Sequence, residues 1–90
     1  MEKTTLLASR PSVVRDGAID TFERHEYVRG MRTSHGDSYG SGFGLQVREV
    51  SWVVTLGAIE GKRPFRQRVF STKKAGASYY AEPPRGRFAP

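Results

Sequence analysis

The stretch from Phe43 to Ile59 carries the strongest hydrophobic pattern in the chain. Leu45 and Val47 share one parity, while Val50, Trp52, Val54 and Leu56 share the other. Side chains of a strand alternate between its two faces, so one straight strand cannot turn both sets inward. The pattern predicts either two strands meeting near residues 48 to 51 or a bulge there that switches the face. A Glu-Gly-Lys-Arg-Pro turn follows, then a second strand over 65–70. In it Phe65 and Val69 point one way, and Arg66, Arg68 and Phe70 the other. Ser71 or Thr72 can cap a helix start, and residues 72 to 81 make about two and a half turns. Ala75 and Tyr79, four apart, are the pair expected to face the sheet, and Pro83 and Pro84 stop the helix.

The N-terminal third is more ambiguous. Residues 18 to 32 could form a helix with Ile19, Phe22 and Glu26 on one face, but polar Glu23 shares that stripe. As a strand, the same residues place Phe22 and Val28 on one face with Arg24 and Glu26 between them. Their β-branched and aromatic content favours the strand, closed by Gly30. Residues 12 to 17 predict a short strand at Val13 and Val14, ended by an Asp-Gly turn signal. Residues 1 to 11 read as a frayed lead-in or one edge strand and, like the Pro/Gly/Arg-rich end at 83–90, are expected to be flexible. Residues 33 to 44 hold four glycines and three serines, the composition of a mobile loop. The expected architecture is one domain over 1–90 of the α+β class. It is a small β-rich domain, an antiparallel sheet of three to five strands with one short C-terminal helix.

A chain of 90 residues has no room for a second core, and its single core will be modest. Cysteine is absent, which excludes disulfide scaffolds and thiolate zinc modules. No apolar run exceeds three residues, whereas a transmembrane helix needs about 20 and a signal peptide about 7 to 15. A soluble, cytoplasmic protein with no membrane partner is the expectation.

Charge sharpens the picture. The net charge is +6, from 15 basic and 9 acidic residues. Lys62, Arg63, Arg66, Arg68, Lys73 and Lys74 lie within residues 61 to 74, where no acidic residue occurs; elsewhere basic and acidic residues balance. Arginine, which dominates the basic residues, suits bidentate contact with phosphates or base edges. These six side chains are therefore candidate phosphate contacts, with one or two arginines reading guanine edges. The competing reading is a solvated hairpin whose cations blunt an edge strand. Trp52, Phe65, Phe70, Tyr79 and Tyr80 alternate with the basic residues as a single-strand stacking platform would require. Trp52 and Phe65 are better placed as core, so Phe70, on the arginine face, is the stacking candidate.

The order of a Trp52 strand, a Gly61-Lys62-Arg63 turn, a strand ending at Phe70, then Thr72, Lys73, Ala75 and a short helix resembles the arm-type DNA-binding domain of tyrosine-recombinase integrases. The resemblance covers roughly residues 43 to 81. It implies a three-stranded antiparallel sheet packed on one C-terminal helix, with the sheet entering the major groove and Arg66 and Arg68 on the strand that contacts DNA. It implies a stand-alone module of that kind, not an integrase. The chain departs from the pattern at Ala75 and Gly76, where the family has an acidic residue and then alanine, and at Pro83, which shortens the helix. Glycine inside a helix costs about 1 kcal/mol relative to alanine.

Other motifs carry less. Tyr39 to Gly44 lacks the following helix of a dinucleotide fingerprint and the Gly-Lys-Ser/Thr ending of a phosphate loop. Ser34, His35 and Asp37 are neighbours in a loop, whereas triad members come from separate segments of a rigid scaffold. His25 and His35, with Glu23, Glu26 and Asp37, show no metal-ligand spacing. Neither an enzyme nor a cofactor is expected. The reading is a small basic nucleic-acid-binding module gripping duplex DNA by a sheet face. The alternative is a non-enzymatic accessory protein, an inhibitor or adaptor, that docks an acidic protein surface.

Overall fold

The computed structural model describes residues 1–31 and 45–83. They form β1 (Glu2–Pro11), β2 (Ile19–Met31), β3 (Leu45–Ala58), β4 (Arg66–Phe70) and a helix, α1 (Lys73–Ala81). The strands make one antiparallel sheet in the order β1-β2-β3-β4. The expected class and the single C-terminal helix are therefore found, with four strands.

β3 is one continuous strand, and no bulge interrupts residues 48 to 51. Its register against β2 is unbroken from Thr55, opposite Thr21, to Leu45, opposite Met31. The two parities stay on opposite faces. Val54 and Leu56 are fully buried on the side the helix covers, while Val47 remains 36% exposed on the other. No face switch is needed, because the helix packs over Phe22 and Trp52 and the outer half of the β2–β3 pair extends past it. At about 3.4 Å per residue, the fourteen-residue β3 spans roughly 48 Å. Gly30 does not close β2, which continues to Met31.

Of the two forms expected for residues 1 to 11, the structure has the edge strand. β1 pairs with β2 from Glu2, opposite Tyr27, to Pro11, opposite Ile19. Pairing gives partners to backbone groups that β2 would otherwise leave open on that side. The first residue is tied as well: the Met1 ammonium donates to the Val28 carbonyl, and Val28 N–H returns a bond to Met1. A bulge at Leu7 puts Leu6 and Ala8 on opposite faces. Residues 12 to 17 are the β1–β2 connection and not a strand. The Ser12 hydroxyl accepts from Val14 and Arg15 N–H at 3.0 and 3.1 Å, a local bond that competes with strand pairing. The Asp-Gly signal is met by Gly17 at φ +76°.

Asp20 joins these pieces. Its side chain is fully buried and accepts from Arg10 Nε at 3.0 Å, Val13 N–H at 3.0 Å and Gly57 N–H at 2.9 Å. The Gly57 contact lies at a bulge where two residues of β3 oppose Asp20, and Gly57 takes φ +71° there. Burial pushes the Asp20 carboxyl up, but hydrogen bonds from Ser12, Val13, Gly57 and Arg10 outweigh it and hold the group below its ordinary value.

The core lies between one sheet face and the helix. Phe22, Val54 and Leu56 are its buried centre, with Ala8, Val14, Trp52, Phe70, Ala77, Tyr79 and Tyr80 packed around them. Thr72 caps α1 through a bond from Ala75 N–H to its hydroxyl at 3.1 Å. The contact side of the helix is not the Ala75–Tyr79 pair, because Ala75 is exposed and Gly76 is buried. Gly76 sits where a β-carbon would lie 2.8 Å from Phe22 Cε1 and 3.3 Å from Trp52 Cβ. The glycine lets the helix approach the sheet closely. Among the described residues the opposite sheet face carries no helix, and Leu6 and Val69 are open on it. The loop expected at 33–44 and, apart from Pro83, the tail expected at 83–90 lie outside the described residues.

Candidate nucleic-acid interface

The six basic candidates fall along one margin of the sheet, because β4 is an edge strand. Lys62 and Arg63 stand on the β3–β4 turn, which is closed by Lys62 N–H to the Ile59 carbonyl at 3.0 Å and has Gly61 at φ +81°. Arg15 pins that turn to the β1–β2 connection. Its Nη1 donates to the carbonyls of Gly57 at 3.0 Å and Arg63 at 3.2 Å. Arg15 was not a sequence candidate, and nothing local to it signals a contact some 40 residues away.

Along β4, Arg66 lies opposite Leu56, Arg68 opposite Val54 and Phe70 opposite Trp52. All three therefore point to the side of the sheet that carries the helix. Val69 and Gln67 point to the other, where Gln67 Nε2 donates to Thr55 Oγ1 at 3.0 Å. The Arg68 guanidinium carbon is 5.3 Å from the Phe70 ring centre and 5.3 Å from that of Tyr79. Such cation–π contacts contribute about 0.5–1 kcal/mol each at exposed sites and orient the charge. Phe70 is half-buried against the core, its ring centre 5.3 Å from Tyr79. Its ring thus supports Arg68 and the helix, and is not an open stacking surface.

Lys73 and Lys74 are exposed at the start of α1, where no acidic residue occurs in the first turn. The partial positive charge of a helix N-terminus disfavours cations there by about 0.3–1 kcal/mol. Turn, edge strand and helix start thus form one basic margin. The sequence expectation of a grip by a sheet face takes a different geometry, since the face bearing Arg66 and Arg68 is the one the helix covers.

The remaining candidates do not converge. His25 and Glu23 share the helix-free face, with Nε2 and Oε1 2.9 Å apart, while Glu26 points to the other side. Ser34, His35 and Asp37 lie outside the described residues. Among the described residues, no group of three or more acidic or histidine side chains is arranged to hold a metal ion, and no helix is long and apolar enough to cross a membrane.

Besides Arg10, three cations outside the six candidates lie on the helix side: Lys3, Arg24 and Arg48. Glu26 holds two of them, with Arg24 Nη1 on Oε1 at 3.0 Å and Arg48 Nε on Oε2 at 2.9 Å. The Arg24 hydrogen bond, with further attraction from Arg48, keeps the Glu26 carboxyl below its ordinary value. Strand parity would have placed Arg24 and Arg48 together had β3 been read as one strand.

No protein-family model, curated protein or solved structure matches this chain. The resemblance to the arm-type domain of integrases accordingly rests on the residues that carry it.

Proposed function

We propose that this is a non-enzymatic nucleic-acid-binding module that grips the backbone of duplex DNA along the β4 margin. The observation that carries the reading is the continuity of that margin. Lys62, Arg63, Arg66, Arg68, Lys73 and Lys74 follow one another from turn to strand to helix, with no carboxylate between Glu60 and Glu82. Arg68 is oriented by two rings and the turn is pinned by Arg15, so part of the ordering cost of binding is met before DNA arrives.

The test is a fluorescence-anisotropy titration of labelled mixed-sequence duplex, repeated at several salt concentrations. Roughly four to six phosphate contacts would give a log–log slope near −0.9 per contact. Arg66→Ala should weaken binding and make the slope shallower. A chain that binds no duplex at low salt would end this reading.

A second reading has one observation in its favour. β4 is a five-residue edge strand, and an acidic extended segment of a partner protein could pair with it, β-augmentation supplying backbone bonds. Such a complex would saturate and tolerate salt.

A further inference from the structure

We infer that the duplex lies on the helix side of the sheet, touching both the β4 margin and a second cluster formed by Lys3, Arg24 and Arg48, while the helix-free face stays clear of it. This rests on the DNA-binding reading above and adds to it which side of the molecule is used and how much duplex it covers.

Strand register fixes which charge faces where. On the helix side the strands carry Lys3, Arg10, Arg24, Arg48, Arg66 and Arg68 against only Asp20 and Glu26. On the helix-free side they carry Glu2, Glu23 and Glu49 against Arg29, with His25 bonded to Glu23. The two faces of one thin sheet thus have opposite sign, and a polyanion is drawn to one and repelled by the other. The resemblance drawn from sequence gives the sheet to the groove without choosing a face; the charge pattern chooses the helix side.

The second cluster is built and not merely charged. Glu26 takes Arg24 on one oxygen and Arg48 on the other, and its side chain is 13% exposed while that of Arg48 is 65% exposed. The carboxylate is the more buried partner, and Arg48, engaging it through Nε at 2.9 Å, remains largely exposed. Six residues of β3 separate Arg48 from Val54, the partner of Arg68, and eight separate it from Leu56, the partner of Arg66. At about 3.4 Å per residue Arg48, the far end of the second cluster, stands roughly 20 to 27 Å along the sheet from the β4 arginines. That is shorter than one duplex turn of about 34–36 Å, so both reach one short site of roughly eight base pairs.

Arg48 and Arg29 make the decisive comparison. Both stand on the outer part of the β2–β3 pair, on opposite faces, and each is ion-paired with a glutamate, Arg48 with Glu26 and Arg29 with Glu49. Replacing either with alanine removes the same net charge. Binding of a labelled 20-base-pair duplex would be titrated across salt for wild type, Arg48→Ala, Lys3→Ala, Arg29→Ala and Arg66→Ala, with thermal unfolding as a check on folding. The expectation is a slope shallower by about 0.9 and a loss of about eightfold at 0.1 M salt for Arg48→Ala. Lys3→Ala should lose in the same direction, and Arg29→Ala should keep the wild-type slope. If Arg66→Ala weakens binding but Arg48→Ala and Arg29→Ala behave alike, the second cluster is refuted while the β4 margin stands. If Arg29→Ala loses more than Arg48→Ala, the duplex is on the helix-free face and the inference is wrong. A wild-type chain that binds no duplex removes both this inference and the reading it rests on.

Discussion

Replacing Gly76 by alanine sets two effects of known size against each other. Intrinsic helix propensity favours alanine by about 1 kcal/mol, so propensity alone predicts a more stable protein. The structure predicts the reverse. A β-carbon at Gly76 would meet Phe22 Cε1 at 2.8 Å, Trp52 Cβ at 3.3 Å and Phe22 Cζ at 3.4 Å. Carbon atoms pack best at about 3.5–4.0 Å, so the Phe22 ring would have to retreat by roughly 0.7–1.2 Å. It has little room, being 5% exposed and stacked on Tyr80 with centroids 5.7 Å apart. Overpacking of this kind costs about 1–3 kcal/mol. The expected balance is a net loss of about 1 kcal/mol, which for a domain of this size lowers Tm by about 4–8 °C.

Thermal unfolding followed by circular dichroism measures the difference directly. Ser78→Ala, at an exposed position of the same helix, is the control and should gain a few tenths of a kcal/mol. The combination of Gly76→Ala with Phe22→Leu should cost less than the sum of the two single changes, with a coupling of at least about 0.5 kcal/mol. If Gly76→Ala instead raises Tm in parallel with Ser78→Ala, the close approach of helix to sheet is refuted. The placement of Tyr79 against Arg68 would then fall with it.

Asp20→Asn should cost about 2–4 kcal/mol at pH 7, because it removes the charge on which Arg10 and two backbone N–H groups converge. The folded-state pKa of Asp20 lies below its unfolded value, so its contribution is full above the unfolded pKa of about 3.9 and fades as pH falls through the folded pKa. Urea unfolding at pH 7 and pH 3 should show the gap between wild type and Asp20→Asn narrowing at the lower pH; a gap that widens would contradict the assignment. Gly57→Ala should cost about 2–4 kcal/mol, since alanine disfavours the left-handed region and overpacks, here at φ +71° with its β-carbon 2.8 Å from Phe65 Cβ. A Tm within 3 °C of wild type, by the scaling of about 4–8 °C per kcal/mol, would refute it.

What could be read from the sequence was what depends on near neighbours. The parity of residues 66 to 70, the Thr72 cap and the stop before Pro83 are local, and the structure has each of them, whereas Phe65 precedes β4 and is 43% exposed, outside the core expected for it. Residues 48 to 51 suggested a bulge because apolar residues were assumed to need an inside. The strand runs past the helix that covers its inner half, so Val47 simply stays out. Gly76 looked like a defect for a related reason: its value lies in Phe22 and Trp52, more than 20 residues away. β1 was undecided because an edge strand with one covered face needs few apolar residues; Ala8 alone packs on the core from it. The basic residues of the candidate margin were evident from composition, but which face they occupy depended on β3 being a single strand.

The basic margin works against stability, and this gives a further handle on function. Several cations elsewhere among the described residues have carboxylate partners: Arg10 with Asp20, Arg24 and Arg48 with Glu26, Arg29 with Glu49. Along the β4 margin the sequence holds no carboxylate between Glu60 and Glu82, and Lys73 and Lys74 stand at the positive end of a helix with no acidic residue in its first turn. Blunting an edge strand needs only a charge or two, so self-repulsion along the whole margin is a cost the fold alone does not require. Lys73→Glu separates the two demands. Removing a cation and adding an anion at a helix N-terminus should stabilise the protein by about 0.6–2 kcal/mol, each change contributing about 0.3–1. The same change puts a like charge against the phosphates and should cut duplex affinity by more than the loss of one contact. Urea unfolding and the anisotropy titration on the same sample read both quantities. A variant that is more stable and binds DNA as well as wild type would show the margin to be an ordinary solvated surface. A variant that is less stable would mean that Lys73 has a structural partner and that the account of the helix start is wrong.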